Sequence, residues 1–293
     1  MIQGWVVAVG LLAAVPQGGP AAPPSSITVE VTGRGKPMIL IPGFVSSGVV
    51  WKDVVEHYKD RFECHVVTVA GFAGAPAVPA PGLARVRDDL ISYVKARKLD
   101  RPVLVGHSMG GVLALWMAAA EPGLPGAVIS VDGVPFLPAL MNPAATADTA
   151  RPQAAQMKAL YESMTPVQLA AQSRLSFSAM ISDQAKVDGA TRWAETSDPK
   201  TAAALLSDLL TTDLRGEMPR VKAPVLLIPA VKAMAGSPEM LKRALAAYEA
   251  QVAGVAAREV VAAQTLHLVM LDDPAFLLKT MDEFLAGRGS NRR

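Results

Sequence analysis

Residues 103–118 read Val-Leu-Val-Gly-His-Ser-Met-Gly-Gly-Val-Leu-Ala-Leu-Trp-Met-Ala, and this stretch decides the fold. It begins with an apolar run typical of a buried strand and ends with one long enough for a helix. Between them, residues 106–110 have the Gly-x-Ser-x-Gly spacing of the sharp strand-to-helix turn called a nucleophile elbow. The glycines let strand and helix approach closely. The pattern predicts that Ser108 is a nucleophile projecting from the sheet, beside the positive N-terminus of a helix.

Apolar runs and helical patterns alternate on both sides of this turn. Helical spacing occurs over residues 49–59 and 83–98, and a final helix is predicted at 274–285, capped by Asp273. Strands alternating with helices predict an α/β fold, with a mostly parallel sheet covered on both faces. The predicted strands are residues 37–44, 64–69, 103–105, 127–131, 224–228 and 259–262.

Three motifs in this order resemble those of the α/β-hydrolase-fold serine hydrolases, which include esterases, lactonases and carbon–carbon-bond hydrolases. The resemblance covers residues 27–287 and implies a central sheet with a helical cap inserted into it. It implies that the backbone N–H groups of Phe44 and Met109 form an oxyanion hole, although Pro42 replaces the histidine that the family usually has there. The motifs are Leu-Ile-Pro-Gly-Phe at 40–44, Gly-His-Ser-Met-Gly-Gly at 106–111 and Leu-His-Leu-Val-Met-Leu-Asp-Asp-Pro at 266–274.

The general base is sought among the four histidines of the chain. His57 lies on a predicted helix and His65 in a predicted strand, and the resemblance implies that His107 points away from Ser108. His267 alone follows the last predicted strand, where the family's chain order of serine, acid and histidine places the base. A neutral imidazole there accepts the serine proton and later returns it to the leaving group.

The acid that orients His267 is less evident, because the loop at 229–239, where relatives commonly carry an aspartate, contains none. We favour Asp132, which ends the predicted strand at 127–131. Glu239, late in the usual loop, and a serine–histidine dyad or another acid are the alternatives. Structural roles are expected for three other aspartates: a cap or salt bridge for Asp213, and caps of the final helix for Asp272 and Asp273.

Residues 134–212 interrupt the strand pattern with helical stretches around 150–163, 166–181 and 201–210. The resemblance makes this insertion a helical cap over the serine. Its methionines and aromatic residues are expected to supply an apolar pocket for a small ester-like substrate, because methionine adapts to irregular shapes. The candidate lining residues are Met141, Met157, Met164, Met180, Phe136, Leu137, Leu140, Phe177 and Trp193.

Composition excludes several other classes of protein. The formal charge of +2, from 28 basic and 26 acidic residues, gives no footprint for nucleic acid. Cys64 is the single cysteine, so neither an intramolecular disulfide nor a cysteine-based zinc site is available, and the dispersed histidines form no metal motif. Catalysis without a metal or organic cofactor is expected.

The N-terminal part differs in character from the rest. Residues 5–15 form an apolar run too short to span a bilayer, and residues 16–26 are rich in proline and glycine. We interpret 1–26 as a signal-like segment and linker, which predicts a periplasmic or secreted protein. No Lys or Arg precedes the apolar run, and a cytoplasmic protein is the alternative. The hydrolase core is expected at 27–133 and 213–293, with the cap at 134–212.

These features predict hydrolysis of a carboxylic ester, thioester or lactone through an acyl-enzyme on Ser108. Carbon–carbon-bond hydrolysis and perhydrolysis use similar residues on the same fold, and fold alone does not separate them. A ligand-binding or receptor protein with little turnover is a further alternative, raised by the missing loop aspartate.

Overall fold

A single sheet forms the centre of the computed structural model, which describes residues 24–287. Its strands are β1 (Ile27–Gly33), β2 (Lys36–Ile41), β3 (Phe62–Val69), β4 (Val103–His107), β5 (Ala127–Val131), β6 (Val225–Ile228) and β7 (Arg258–Val260). They lie in the order β1-β3-β2-β4-β5-β6-β7, and only the β1–β3 pair in this described sheet is antiparallel. The predicted mostly parallel sheet is confirmed. The predicted signal-like run at 5–15 lies outside the described residues.

The register of the parallel strands brings their carboxyl ends to one edge of the sheet. Ile41 of β2 pairs with Gly106 of β4, and Val131 of β5 pairs with both His107 and Ile228. The connections after β2 and β4 run in opposite directions, because β3 lies on one side of the β2–β4 pair and β5 lies on the other. Such a switch in strand order opens the crevice where ligands bind in parallel sheets.

Helices cover both faces of the sheet. They are α1 (Lys52–Tyr58), α2 (Leu83–Ala96), α3 (Met109–Ala120), α4 (Ala147–Glu162), α5 (Pro166–Met180), α6 (Gln184–Glu195), α7 (Pro199–Thr211), α8 (Pro238–Gln251), α9 (Val269–Asp272) and α10 (Pro274–Ala286). Asp273 accepts a hydrogen bond from the Phe276 N–H and Pro274 opens α10, as predicted. No helix within residues 24–287 is both long and apolar enough to cross a membrane.

Two apolar clusters hold the layers together. Along β2, Ile39 and Ile41 face the cluster formed with α2 and α3, whereas Met38 and Leu40 face the cluster formed with α1 and α10. A strand that is apolar on both faces is what a sheet covered on both sides requires. All residues of β4 and β5 are likewise buried, so the strands that position Ser108 and residue 132 are packed on both faces.

Helices α4–α7 lie between β5 and β6, and α4 packs with α7 while α5 packs with α6. The sequence pattern did not indicate α6, because Gly189, which lowers helix propensity, interrupts its short buried stripe of Val187, Ala190, Thr191 and Ala194. It also missed β1, an edge strand whose residues are mostly exposed, and placed β7 one residue late. Apolar periodicity identifies elements that face a core, so exposed elements escape it.

Candidate active site

Ser108 stands at the turn between β4 and α3 in a strained backbone conformation, with φ 52° and ψ −118°. The turn is held by the Ser108 N–H, which donates to the Val131 carbonyl at 2.9 Å, and by the N–H groups of Gly111 and Val112, which donate to the Ser108 carbonyl. The strain is therefore imposed by neighbouring strand and helix, and it projects the side chain beyond the sheet edge as the motif predicts.

Close backbone contacts explain the two glycines of the motif. A Cβ atom on Gly106 would lie 2.0 Å from the Gly110 carbonyl oxygen, and one on Gly110 would lie 2.2 Å from the Ile41 carbonyl oxygen. Backbone atoms on both sides leave no room to shift. The first turn of α3 is thereby pressed against the ends of β2 and β4.

Asp132 and His267 form a hydrogen-bonded pair beside this turn. His267 Nδ1 lies 2.5 Å from Asp132 Oδ2, and the Asp132 side chain is only 8% exposed. The second carboxylate oxygen, Oδ1, accepts hydrogen bonds from the Ala230 N–H at 2.9 Å and from the Tyr248 hydroxyl at 2.7 Å. Because Asp132 follows β5 with a positive φ of 50°, its carboxylate turns toward the loop that carries His267.

The surroundings of Asp132 favour its charged form. Burial raises the pKa of Asp132, but its hydrogen bonds and the neighbouring imidazole together outweigh burial, so this pKa lies below the ordinary aspartate value. Burial and the Asp132 charge raise the pKa of Tyr248, so its hydroxyl keeps its proton and donates. A carboxylate acceptor leaves Nδ1 as the protonated nitrogen of a neutral His267 and directs its Nε2 lone pair elsewhere.

His107, the last residue of β4, holds the loop of His267 by a hydrogen bond. Its Nε2 lies 3.0 Å from the His267 carbonyl oxygen, which only accepts, so Nε2 carries the proton. Burial and the adjacent His267 lower the pKa of His107 to about 3, which keeps this ring neutral at physiological pH. On the other side of the loop, the Leu268 N–H donates to the Met180 carbonyl at the end of α5.

Asp272 has a different role from the one predicted. It does not cap the final helix: its carboxylate accepts from the N–H and hydroxyl of Ser182 and from the Leu266 N–H. Asp272 therefore ties the turn between α5 and α6 to the residue before His267. The sequence could not show this contact, because Ser182 lies 90 positions away.

The loop after β2 passes directly over Ser108. A Cβ atom on Gly43 would lie 3.4 Å from the Ser108 Cβ, and Phe44 packs edge-on against Phe72 with ring centroids 5.6 Å apart. Phe44 follows Gly43 in this loop, and Met109, the first residue of α3, follows the serine. Both line the same cavity as Ser108.

That cavity has a volume of about 450 Å³ and brings Ser108, Asp132 and His267 to one wall. The Ser108 hydroxyl makes no hydrogen bond with another residue in the range 24–287. Helices α4, α5 and α7 and the 3-10 turn at Leu137–Leu140 also line the cavity with mostly apolar side chains, with Ser173 and Ser176 as the polar ones. Those apolar residues are Leu137, Leu140, Met157, Tyr161, Phe177, Met180, Leu206 and Leu209.

Four of the expected lining residues lie elsewhere. Met141 is 91% exposed, and Phe136 is fully buried under the Arg215 guanidinium. Met164 and Trp193 pack against the two core clusters. Helical spacing predicts which apolar residues share the buried face of a helix. It does not show whether each of them contacts the core or the cavity.

Two further outcomes concern charged groups. Glu239 lies exposed in the first turn of α8, and Asp213 forms an ion pair with Arg215 at 2.6 Å, as expected of a structural residue. Among residues 24–287, no three His, Cys, Asp or Glu side chains gather closely enough to hold a metal ion. Tyr248 was not predicted, because no motif connects it to Asp132 across 116 positions.

Comparison with known proteins gives a consistent result. The model of the Alpha/beta hydrolase family matches residues 38–280. A pimeloyl-(acyl-carrier protein) methyl ester esterase of Vibrio vulnificus is 25% identical over 203 residues, which are 67% of this chain and 76% of the relative. An esterase of the same name from Stenotrophomonas maltophilia is 28% identical over 228 residues, 74% of this chain and 83% of the relative.

A solved structure with a similar fold is the enol-lactonase from Burkholderia xenovorans. The two share 16% identity with a TM-score of 0.71, over 89% of this chain and 96% of the lactonase. At this identity the likeness concerns the fold, whose sheet and flanking helices correspond.

Proposed function

This chain belongs to the alpha/beta hydrolase family, and from that premise we propose that it is a serine esterase that cleaves a neutral, apolar carboxylic ester. The observation that carries the proposal is the 2.5 Å pair of Asp132 and His267 on the same cavity wall as Ser108. The pair supplies a base whose tautomer is fixed, beside a strained serine.

In the proposed mechanism, the Ser108 hydroxyl attacks the ester carbonyl and His267 Nε2 takes its proton. Catalytic hydrogen bonds often shorten only when substrate is bound, which fits a Ser108 hydroxyl that has no hydrogen-bond partner among residues 24–287. The negative carbonyl oxygen of the tetrahedral intermediate accepts from the Phe44 and Met109 N–H groups. His267 then protonates the leaving alcohol, giving the acyl-enzyme, and activates a water that releases the acid.

The cavity supports the proposed substrate class. Apart from Asp132, which is hydrogen-bonded to His267, the described residues that line the cavity include no acidic side chain and no lysine or arginine. A charged group on the substrate would be buried there without an oppositely charged partner, which would weaken binding by several kcal/mol. We assign helices α4–α7 to a cap that shapes this cavity, and the ester chemistry agrees with the methyl ester esterases among the relatives.

The test uses a fluorophosphonate probe, which labels activated serines, and p-nitrophenyl esters of increasing chain length. Wild-type protein is expected to be labelled and to hydrolyse the esters. Ser108→Ala is expected to lose labelling and at least about 10³-fold of turnover while keeping its melting temperature. Near-wild-type hydrolysis by pure Ser108→Ala protein would contradict the proposal, and absence of both reactions in wild type would favour a binding protein.

A further inference from the structure

Tyr248 makes a contact to the acid that the mechanism above does not use. It lies near the end of α8, is only 5% exposed and places its hydroxyl 2.7 Å from Asp132 Oδ1. The same oxygen accepts from the Ala230 N–H, while Oδ2 faces His267. The two carboxylate oxygens therefore have different partners. Oδ1 accepts from Ala230 and Tyr248, and Oδ2 is paired with the His267 imidazole.

We propose that Tyr248 is a positioning residue that holds Asp132 ionised and in the rotamer that meets His267, an inference that rests on the proposed function. Without the hydroxyl, Oδ1 would keep the Ala230 N–H as its donor among the described residues. The carboxylate would then be freer to rotate about its terminal bond, whose torsion is intrinsically soft. A buried carboxylate with fewer donors is also less stable as the anion.

The surroundings of Asp132 single out this hydroxyl. The titratable groups that face the carboxylate within the described residues are His267 from the loop after β7, His107 from β4 and Tyr248 from α8. His107 is neutral, and its one ring N–H group donates a hydrogen bond to the His267 carbonyl oxygen. Among the described residues, Tyr248 is thus the one side chain other than His267 that donates to Asp132.

The experiment compares Tyr248→Phe with wild type. Phenylalanine keeps the ring, which packs in the apolar cluster formed with α2 and α3, and removes only the hydroxyl. We expect kcat for a p-nitrophenyl ester to fall about tenfold with KM nearly unchanged, because the loss concerns a hydrogen bond to a charged group. We also expect the acid limb of the kcat/KM profile to move to higher pH, because a carboxylate that has lost a donor holds a proton on the paired imidazole more strongly.

Tyr93→Phe is the matched control. The Tyr93 hydroxyl is 2.8 Å from His65 Nδ1, and Tyr93 lies on α2, outside the cavity lining. This variant removes a tyrosine hydroxyl that is hydrogen-bonded to a buried histidine and is expected to leave the pH profile of activity in place. A uniform loss in Tyr248→Phe at every pH, with no movement of the acid limb, would show a merely structural role and overturn the proposal.

A second measurement does not depend on turnover. The ¹³C resonance of the Asp132 carboxyl, assigned by its loss in Asp132→Asn, is titrated by NMR in wild type and Tyr248→Phe. Protonation at higher pH in Tyr248→Phe supports the proposal, and an unchanged titration overturns it. If wild type shows no Ser108-dependent hydrolysis, the proposed function fails, and the titration still decides whether Tyr248 holds Asp132 ionised.

Discussion

Replacing Asp132 with asparagine is the sharpest test of the site, because it preserves size while changing charge and hydrogen-bond character. The carboxylate Oδ1 accepts hydrogen bonds from two donors, from which the asparagine carbonyl oxygen can also accept. That arrangement turns the new NH₂ group toward His267 Nδ1. Nδ1 must then accept, so the proton moves to Nε2, and the nitrogen that takes the Ser108 proton is blocked.

The size of the effect follows from the lost charge. At a separation of roughly 4 Å and an effective dielectric constant of about 20, a carboxylate stabilises an imidazolium by about 4 kcal/mol. The imidazolium forms during attack, so this energy corresponds to about 10³-fold in rate. The wrong tautomer adds to the loss, and relaxation of the site reduces it. We expect kcat/KM of Asp132→Asn to fall by about 10²- to 10⁴-fold.

The assay measures kcat and KM for a p-nitrophenyl ester together with the melting temperature of each variant. Glu239→Gln is the matched control, because this exposed side chain on α8 also changes from carboxylate to amide. It is expected to keep wild-type activity. The reasoning is refuted if folded Asp132→Asn retains a third or more of wild-type kcat/KM, or if Glu239→Gln loses activity instead.

Three further predictions concern the cavity, the elbow and a structural ion pair. For esters with longer acyl chains, each buried methylene should improve transition-state binding by roughly 0.8 kcal/mol, or kcat/KM by about fourfold, until the cavity is full. In Leu206→Trp this increase should stop at shorter chains. A preference of wild type for acetate esters would contradict an apolar acyl site. Gly106→Ala should lower the free energy of unfolding in urea by at least about 3 kcal/mol, because its Cβ would overlap the Gly110 carbonyl. Gly189→Ala, which has open space around the new Cβ, should not lower this free energy. Equal effects of the two variants would refute the role of close packing at Gly106. Burial raises the pKa of Asp213, but its hydrogen bonds from Arg215 prevail and the pKa lies below the ordinary value. The unfolding free energy of wild type should therefore exceed that of Asp213→Asn above about pH 4, with the difference lost as pH falls through the lowered pKa; a difference that stays constant down to pH 2 would exclude the ion pair as its source.

The sequence by itself determined the elements that depend on neighbouring residues. The elbow at 106–110 is a local arrangement of glycines around a serine, and the apolar runs of β2 to β6 reflect burial on both faces. Each is written in fewer than ten consecutive residues. An exposed element such as β1 lacks such a pattern, and in α6 the buried stripe is short and interrupted by Gly189, so neither was predicted.

Only the tertiary structure decided which acid faces His267. The sequence left Asp132, Glu239 and a dyad open, because the residues concerned are separated by up to 135 positions and no local pattern relates them. The parallel register of β4, β5 and β6 places the ends of these strands side by side, and Tyr248 and Ala230 then orient the carboxylate. Strand identity is encoded locally, but distances between strand ends arise when the sheet assembles, and hydrogen bonds there depend on those distances.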